Sequence, residues 1–259
     1  MTQKPAEAPT IDVCGHCGPF TSRPVGVEPD GLRDLLAPYG VVKAYAGRLE
    51  ALWYENPHDA NRLPMAVAAT GGGPEVVAVP VLDPTIATWR EELDRLAAAG
   101  PLTMVRLWPS YHRFRLSQAG PLLDALAKRG TVVQVIARVE DPRRQHPLAQ
   151  VADVSAAEVR DAARRHPSMR VLLSGATTQA LLGLANGLPR SNNLWADVSQ
   201  TDGAEAILDL TASPWAERLV FGTHAPIFVP EAAFARVLTD LDDFTAGTIL
   251  HGNAAGLFG

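Results

Sequence analysis

Two cysteines and a histidine close together near the start of the chain are the first candidates for chemistry. Cys14, His16 and Cys17 form the run Cys-Gly-His-Cys, directly after a short β-branched segment. This spacing is typical of thiol–disulfide oxidoreductases, in which a helix N-terminus lowers the pKa of the first thiol. The residues that follow, Gly-Pro-Phe-Thr, are a poor start for a helix, so the sequence disfavours that chemistry. A structural zinc site would need a second ligand pair, and the chain has 2 cysteines in all.

A catalytic metal site is a better interpretation of the same residues. Alternate residues of a strand point to one side, so Cys14 and His16 are expected to project together. His224 follows another β-branched segment near the end of the chain. If the two strands pair, the three side chains could hold one divalent metal ion, zinc, with water as the fourth ligand. Alternatively Cys14 is a small buried hydrophobe beside two hydrogen-bonding histidines, so a metal-free site remains open.

Two arginines lie in or after apolar runs. Arg106 interrupts the run Met-Val-Arg-Leu-Trp, and Arg138 ends another. A buried charge is costly unless it is paired. They could therefore form internal ion pairs with Asp12, Asp197 or Glu140. They could equally bind a substrate carboxylate or phosphate through two parallel hydrogen bonds.

Further polar residues follow the same segments. Tyr111 and His112 come after the Arg106 segment, and Asp141 and His146 lie in the polar loop that follows Arg138. Asp141 and His146 could form a carboxylate–imidazole pair for proton transfer, or be independent solvated groups. The candidate catalytic residues are His16, His112, Asp141, His146 and His224. The candidate substrate-binding residues are Arg106, Tyr111, Arg138 and Asp197.

The elements that must position these residues alternate along the chain between β-branched runs and amphipathic stretches. The predicted strands are 10–13, 41–45, 76–82, 103–107, 131–139, 169–173, 193–198 and 218–221. The predicted helices are 30–39, 56–70, 85–99, 118–129, 155–166, 177–186, 203–210 and 231–241. Eight such units predict an α/β protein, a (βα)8 TIM barrel, closed by a short C-terminal helix near 245–257. A doubly wound sheet is the alternative, but the glycine-rich first turn typical of that fold is missing.

Composition restricts the class of protein. The chain has 259 residues, of which 47% are hydrophobic, and carries 23 basic and 28 acidic side chains, a net charge of −5. We predict one domain over 1–259 with a flexible start at 1–9. The mild acidity disfavours nucleic acid as a partner, since phosphate binding requires a basic stripe. Neither a signal peptide nor an apolar run of about 20 residues is apparent, so we expect a cytoplasmic protein without a membrane span.

At this point the motifs resemble a known family. The segment Ile-Asp-Val-Cys-Gly-His-Cys-Gly at 11–18 resembles the strand-one motif Asp-x-His-x-His-x-x-Gly of the amidohydrolase-related (amidohydrolase 2) superfamily. The segment Phe-Gly-Thr-His-Ala-Pro at 221–226 resembles the strand-eight motif Gly-Ser/Thr-Asp-x-Pro. The segment 249–258, with its Asn-Ala and following Leu-Phe, resembles the closing helix. The resemblance covers nearly the whole chain and implies a TIM-barrel metal-dependent hydrolase or decarboxylase.

The chain departs from this family at most of the metal ligands. Cys14 replaces the first histidine, and Ile136 and Ser174 occupy the histidine positions of strands five and six. His224 replaces the strand-eight aspartate, so His16 alone is unchanged. The resemblance therefore implies a divergent branch without the binuclear centre. Asn61 and the segments Asp-Pro-Arg at 141–143 and Gln-His-Pro at 145–147 also resemble such a branch.

Two functions follow as hypotheses. The first is an enzyme that hydrolyses or decarboxylates a small carboxylate-bearing substrate, with Arg106 and Arg138 holding the anion and a mononuclear or metal-free centre. The second is an inactive barrel that binds a small molecule or serves as the partner subunit of an enzyme. The expected partner is a small anionic substrate, and a homodimer is a further candidate assembly.

Overall fold

A closed ring of eight parallel strands forms the centre of the computed structural model, which describes residues 9–67 and 72–259. The predicted flexible start at 1–9 lies outside the described residues except for Pro9. The strands are β1 (Thr10–Cys17), β2 (Val41–Arg48), β3 (Glu75–Ala78), β4 (Met104–Leu107), β5 (Val132–Ile136), β6 (Val171–Ser174), β7 (Leu194–Asp197) and β8 (Leu219–Val220). Most of them coincide with a predicted apolar run, because a parallel strand covered on both faces needs apolar side chains on both.

The ring consists of two hydrogen-bonded sheets that meet at two seams. One sheet has the order β1-β2-β3 and the other β4-β5-β6-β7-β8. At the first seam the Arg106 N–H donates to the Pro80 carbonyl at 2.8 Å. At the second the Val13 N–H donates to the Phe221 carbonyl at 3.0 Å. These contacts close the sheets into a barrel, as the sequence predicts.

Amphipathic helices pack around the outside of the barrel. They are α1 (Pro29–Leu36), α2 (Trp89–Ala99), α3 (Gly120–Arg129), α4 (Ala156–Arg165), α5 (Thr178–Leu184), α6 (Ala206–Thr211), α7 (Pro230–Asp240), α8 (Asp243–Gly247) and α9 (Asn253–Phe258). A π-helical turn, Thr248–Gly252, joins α8 to α9. Gly130 ends α3 with a φ of 67°, which a residue without a Cβ adopts at low cost. The predicted closing helix is therefore present, divided into three pieces.

Three apolar clusters fill the structure. The largest lies between the strands and the surrounding helices. The second fills the amino end of the barrel, where Leu257 of α9 packs under Val13, Met104 and Val220. The third covers the carboxyl end, where a TIM barrel usually opens to its substrate. We call this third cluster the apolar plug, and its members include Cys14, Phe20, Leu49, Leu52, Trp108, Ile136, Val139 and Ile227.

One predicted helix is wrong. The segment 56–70 was expected to be helical, but Pro57–Arg62 forms a 3-10 helix and residues 63–67 are not helical. Pro64 explains the break, since proline lacks the N–H that an α-helix interior needs. Residues 68–70 of that prediction lie outside the described residues. No α-helix of the described chain therefore connects β2 to β3, and none of the four residues of β3 is buried.

Within residues 9–67 and 72–259, every helix is too short or too polar to cross a bilayer.

Candidate functional site

Cys14, His16 and His224 meet in the barrel centre, as the pairing of strands one and eight predicts. The Cys14 Sγ lies 3.4 Å from His224 Nδ1 and 3.9 Å from His16 Nε2. The two imidazole rings are 4.4 Å apart between centroids, in an edge-to-face arrangement. All three side chains are fully buried. Cys14 is also a member of the apolar plug, so this central cluster is in direct contact with it.

Asp12 fixes the relative position of β1 and the segment after β8. Its Oδ1 accepts hydrogen bonds from the N–H groups of Cys14 (2.9 Å) and Thr223 (3.0 Å), and its Oδ2 accepts the Thr223 hydroxyl at 2.5 Å. A Cβ on Gly222 would lie 3.0 Å from the Cys14 Cβ and 3.1 Å from the Asp197 Cβ. Only glycine at this position lets the two strands approach so closely. The glycine in the strand-eight motif thus has a packing role.

Arg106 reaches the cluster from β4. Its Nη1 donates to His16 Nδ1 at 2.9 Å and to the Gly15 carbonyl at 3.1 Å, and its Nε donates to Gln134 Oε1 at 2.7 Å. The side chain is fully buried, and its Nη2 has no hydrogen-bond partner among the described residues. Among the described residues the guanidinium forms no hydrogen bond or salt bridge with a carboxylate, so the alternative of a direct ion pair with Asp12, Asp197 or Glu140 is wrong for Arg106. A buried cation with an unused donor is a strong candidate for anion binding.

The Arg106 hydrogen bond assigns the proton of the His16 imidazole. Because Arg106 can only donate, His16 Nδ1 must accept, and the neutral ring carries its proton on Nε2, facing the Cys14 sulfur. The His224 ring contacts the Cys14 sulfur through Nδ1 at 3.4 Å and the Gln200 amide nitrogen through Nε2 at 3.5 Å.

Burial keeps the whole cluster uncharged. It lowers the pKa of His224 to about 3, and the nearby Arg106 charge acts in the same direction. Burial likewise holds the pKa of His16 well below 6.5, reinforced by His224 and Arg106. The pKa of the Cys14 thiol is raised well above 9, first by burial and then by the charge of Asp197. A resting thiolate–imidazolium pair is therefore disfavoured.

In this arrangement, Cys14, His16 and His224 do not fit a zinc ion. Ligand atoms of a tetrahedral zinc ion lie about 3.3–3.6 Å apart, so the spacing of the three donor atoms is close to suitable. Cys14 Sγ and His224 Nδ1 can offer lone pairs. His16 Nε2 cannot, because the Arg106 hydrogen bond to Nδ1 keeps the proton on Nε2. The fixed guanidinium charge also opposes a dication beside it.

Three other predicted residues border the centre or the mouth of the barrel. Asp197 is fully buried, accepts the Ser199 N–H and hydroxyl on Oδ1, and has an unpartnered Oδ2. Arg138 donates to Gln200 Oε1 at 2.8 Å. Tyr111 stacks edge-on against Trp108 of the plug, and burial raises the pKa of its phenol. Within the described residues, none of the three forms a hydrogen bond with Cys14, His16 or His224.

The remaining predicted residues lie elsewhere. His112 donates from Nε2 to the Ala51 carbonyl at 2.8 Å and faces Asp83. Asp141 forms two hydrogen bonds with the Arg143 guanidinium, at 2.9 and 2.6 Å, which hold the pKa of its carboxyl well below the usual range. His146 is exposed and accepts the Leu148 N–H. Of the two alternatives, the carboxylate–imidazole pair of Asp141 and His146 does not form, because Asp141 is paired with Arg143 instead.

Sequence analysis missed two residues that hold Arg106 in place. Gln134 accepts from Arg106 and donates to the Val13 carbonyl and to Ser174 Oγ. A polar residue inside the apolar strand β5 was the available signal. Gly47 packs against the guanidinium, since a Cβ there would lie 3.0 Å from Arg106 Nη1. A glycine at the end of a strand gave no comparable signal.

Comparisons with known proteins show the fold. No protein-family model matches the chain, and no curated protein does. Among solved structures, 2,6-dihydroxybenzoate decarboxylase from Rhizobium is similar at 14% identity and a TM-score of 0.67, covering 97% of this chain and 98% of that one. A dihydroxybenzoic acid decarboxylase from Polaromonas sp. JS666, solved with manganese and the inhibitor 2-nitroresorcinol, has 13% identity and a TM-score of 0.63, covering 97% of each chain.

A third structure is named for its architecture. An uncharacterised TIM-barrel protein from Bordetella bronchiseptica has 16% identity and a TM-score of 0.62, covering 96% of this chain and 97% of that one. At these identities the solved structures establish the architecture of the chain, which is a TIM barrel.

Proposed function

We propose that the chain is an amidohydrolase-like enzyme that acts on a small carboxylate-bearing substrate at a metal-free centre. One observation carries the proposal: Arg106 is fully buried beside His16, and its Nη2 has no partner among the described residues. A bound carboxylate would supply the missing acceptor and compensate the buried charge. The likeness to decarboxylases of dihydroxybenzoates supports the choice of a carboxylate.

Hydrolysis fits this anchor better than decarboxylation does. Decarboxylation moves the negative charge of the carboxylate onto carbon, so a charge-assisted hydrogen bond from Arg106 would stabilise the ground state more than the transition state. Hydrolysis leaves an anchoring carboxylate unchanged while water attacks another group of the substrate. We therefore place Arg106 as the binding residue for a hydrolytic reaction. Carbon dioxide release is the competing outcome in the test.

We assign proton transfer to the buried hydrogen-bond chain that starts at Arg106. Arg106 donates to His16, His16 donates to the Cys14 sulfur, and this sulfur lies 3.4 Å from His224 Nδ1. His16 lies nearest the anion anchor, so it is the proposed acid–base group. Cys14 and His224 extend the path for the proton. The site needs no Lewis acid for substrate binding, because Arg106 supplies the positive charge.

A non-catalytic barrel is the second candidate, and a specific observation favours it. The apolar plug closes the carboxyl end of the barrel, and Cys14, His16 and His224 are all inaccessible to solvent. A small-molecule binder needs the Arg106 anchor but no acid–base chemistry. Turnover therefore separates the two candidates, whereas binding does not.

The test is turnover of a panel of small carboxylates. One set carries an ester, lactone or cyclic amide and is followed by NMR, and a hydroxybenzoate set is followed by carbon dioxide release. We expect hydrolysis that falls at least tenfold in Arg106→Lys, because lysine lacks the planar fork, and in His16→Asn. Arg129→Gln, at an exposed pair with Asp94, is the matched control and should keep full activity.

Metal dependence is tested on the same protein. Treatment with a chelator should leave turnover unchanged, and added zinc or manganese should not raise it. Loss of turnover on chelation, restored by one of these metals, would refute the metal-free centre. Absence of turnover across the whole panel, with carboxylate binding intact, would favour the binder. The homodimer and the cytoplasmic location remain predictions.

A further inference from the structure

The usual entrance of the barrel is closed by the apolar plug. Phe20, Trp108 and Ile227 are each no more than 5% exposed, and they cover the cluster at the carboxyl end. Arg23, from the loop after β1, donates to the buried Glu140 carboxylate across this end at 3.0 Å. Among the described residues, the plug therefore separates Arg106 from solvent at this part of the carboxyl end.

Few backbone hydrogen bonds join β4 to β3 and the segment that follows it. Only the Arg106 N–H to Pro80 carbonyl bond and the Leu82 N–H to Arg106 carbonyl bond join the described parts of these strands, at 2.8 and 3.2 Å. β3 itself is exposed or half-buried along its length. The described residues between β2 and β3 form no α-helix that would cover this part of the wall.

A cavity of about 350 Å³ lies at this seam. Arg106 and Trp108 line it on the side of the barrel centre, and Leu96 and Ala99 of α2 line it on the outside. Ala99 is exposed, so the cavity reaches solvent at the end of α2. The volume is at the small end of the range for ligand pockets, about 300–1,000 Å³.

The chemistry of the lining selects the ligand. Its walls are mainly apolar, with Ala, Val, Pro, Leu and Met side chains. Three strongly polar side chains, Arg48, Asn61 and Arg106, line it together with the indole of Trp108. Arg48 is already paired with Glu28 and Glu50, and Asn61 bonds the Val81 backbone and the Glu92 carboxylate. Arg106 Nη2 is the donor left for a ligand among these three side chains.

We infer that the substrate of the proposed enzyme is an apolar monocarboxylate of about one ring, and that it reaches Arg106 through the seam between β3 and β4. That the ligand is a substrate rests on the proposed function. The class of the ligand and its route rest on the cavity alone. A second carboxylate would be buried against apolar walls without a partner, at a large desolvation cost. A neutral analogue would lack the charge-assisted bond to Arg106.

Binding of simple probes tests the ligand class without any need for turnover. Benzoate, benzamide and isophthalate are titrated into the wild-type protein by calorimetry. Benzoate should bind at least about tenfold more tightly than either of the others. Equal affinities for benzoate and benzamide would overturn the assignment of Arg106 as the anion anchor of this cavity. Tighter binding of isophthalate would overturn the monocarboxylate class.

The route is tested by filling the outer part of the cavity. Ala99→Trp and Ala78→Phe each add a ring at a lining residue, and each should weaken benzoate binding at least tenfold. Ala98→Trp, on an exposed neighbouring position that does not line the cavity, is the matched control and should bind like the wild type. Unchanged benzoate affinity in both lining variants would show that the ligand enters elsewhere.

The two proposals fail separately. If turnover exists and persists in Ala99→Trp and Ala78→Phe, the seam route is wrong and the enzyme proposal stands. If benzoate binds as expected and no substrate of the panel is converted, the cavity stands as a carboxylate site and the enzyme proposal is wrong. Circular dichroism of each variant checks that its fold is intact.

Discussion

Acid should destabilise this protein through His224. Burial and the Arg106 charge lower the pKa of this histidine from 6.5 to about 3 in the folded chain. Between these two values the unfolded chain binds a proton that the folded chain does not, so protonation favours unfolding. The free energy of unfolding therefore has its full value above pH 6.5 and decreases progressively as the pH falls towards 3.

The size of the effect follows from the two pKa values. Between pH 7 and pH 5, His224 alone should lower the free energy of unfolding by about 2 kcal/mol. His16 adds a loss in the same direction, since burial also holds its pKa well below 6.5. Urea unfolding at several pH values measures the sum, provided that the transition is two-state.

One variant and one control isolate the His224 contribution. His224→Asn should reduce the loss between pH 7 and pH 5 by about 2 kcal/mol. Asparagine is the suitable replacement because the backbone φ here is 58°, which it tolerates. Cys14→Ser alters the same hydrogen bond but should keep the wild-type pH dependence, because the thiol is uncharged at these pH values in both states. A His224→Asn variant with the full wild-type loss would refute the assignment of a neutral, desolvated imidazole.

Three further substitutions test the framework of the site by urea unfolding. Gly47→Ala should cost about 1–3 kcal/mol, because the new Cβ would press on Arg106, and an unchanged stability would contradict the packing argument. Thr223→Val should cost about 1–3 kcal/mol by leaving Asp12 short of a donor, whereas Thr223→Ser should retain most of the stability. Asn253→Ala should cost about 1–2 kcal/mol, since its amide donates to two backbone carbonyls that anchor the closing helix.

The barrel could be predicted from the sequence because its signal is repeated eight times. Each strand is an apolar run bounded by polar loops. After most strands the pattern changes to the spacing of an amphipathic helix. The prediction of a helix at 56–70 failed for a local reason. The amphipathic pattern there indicated a helix, but Pro64 lacks the N–H that the interior of a helix needs. The end of β3 and the segment after it line the cavity at this side of the barrel, through Ala78, Val79, Pro80 and Val81.

The central cluster could be predicted because it depends on topology. Cys14 and His224 come together once β1 pairs with the end of β8, and closure of a barrel requires that pairing. The partner of Arg106 could not be predicted in the same way. Its contact with His16 depends on side-chain direction across the barrel and on the space left by Gly47. Loop residues such as Asp141 and His146 follow local turns, which the spacing along the chain does not determine.

Substitution of Arg106 tests directly whether its hydrogen bond to His16 prevents zinc binding. Arg106→Met removes the donor to His16 Nδ1, so the His16 proton can move to Nδ1 and free Nε2 for coordination beside Cys14 and His224. The variant should bind zinc at least about tenfold more tightly than the wild type in competition with a chromophoric chelator. Arg138→Met makes the same charge change without a contact to His16, and it should gain no affinity. Equal, stoichiometric zinc binding by wild type and Arg106→Met would show that the guanidinium does not control the tautomer of His16.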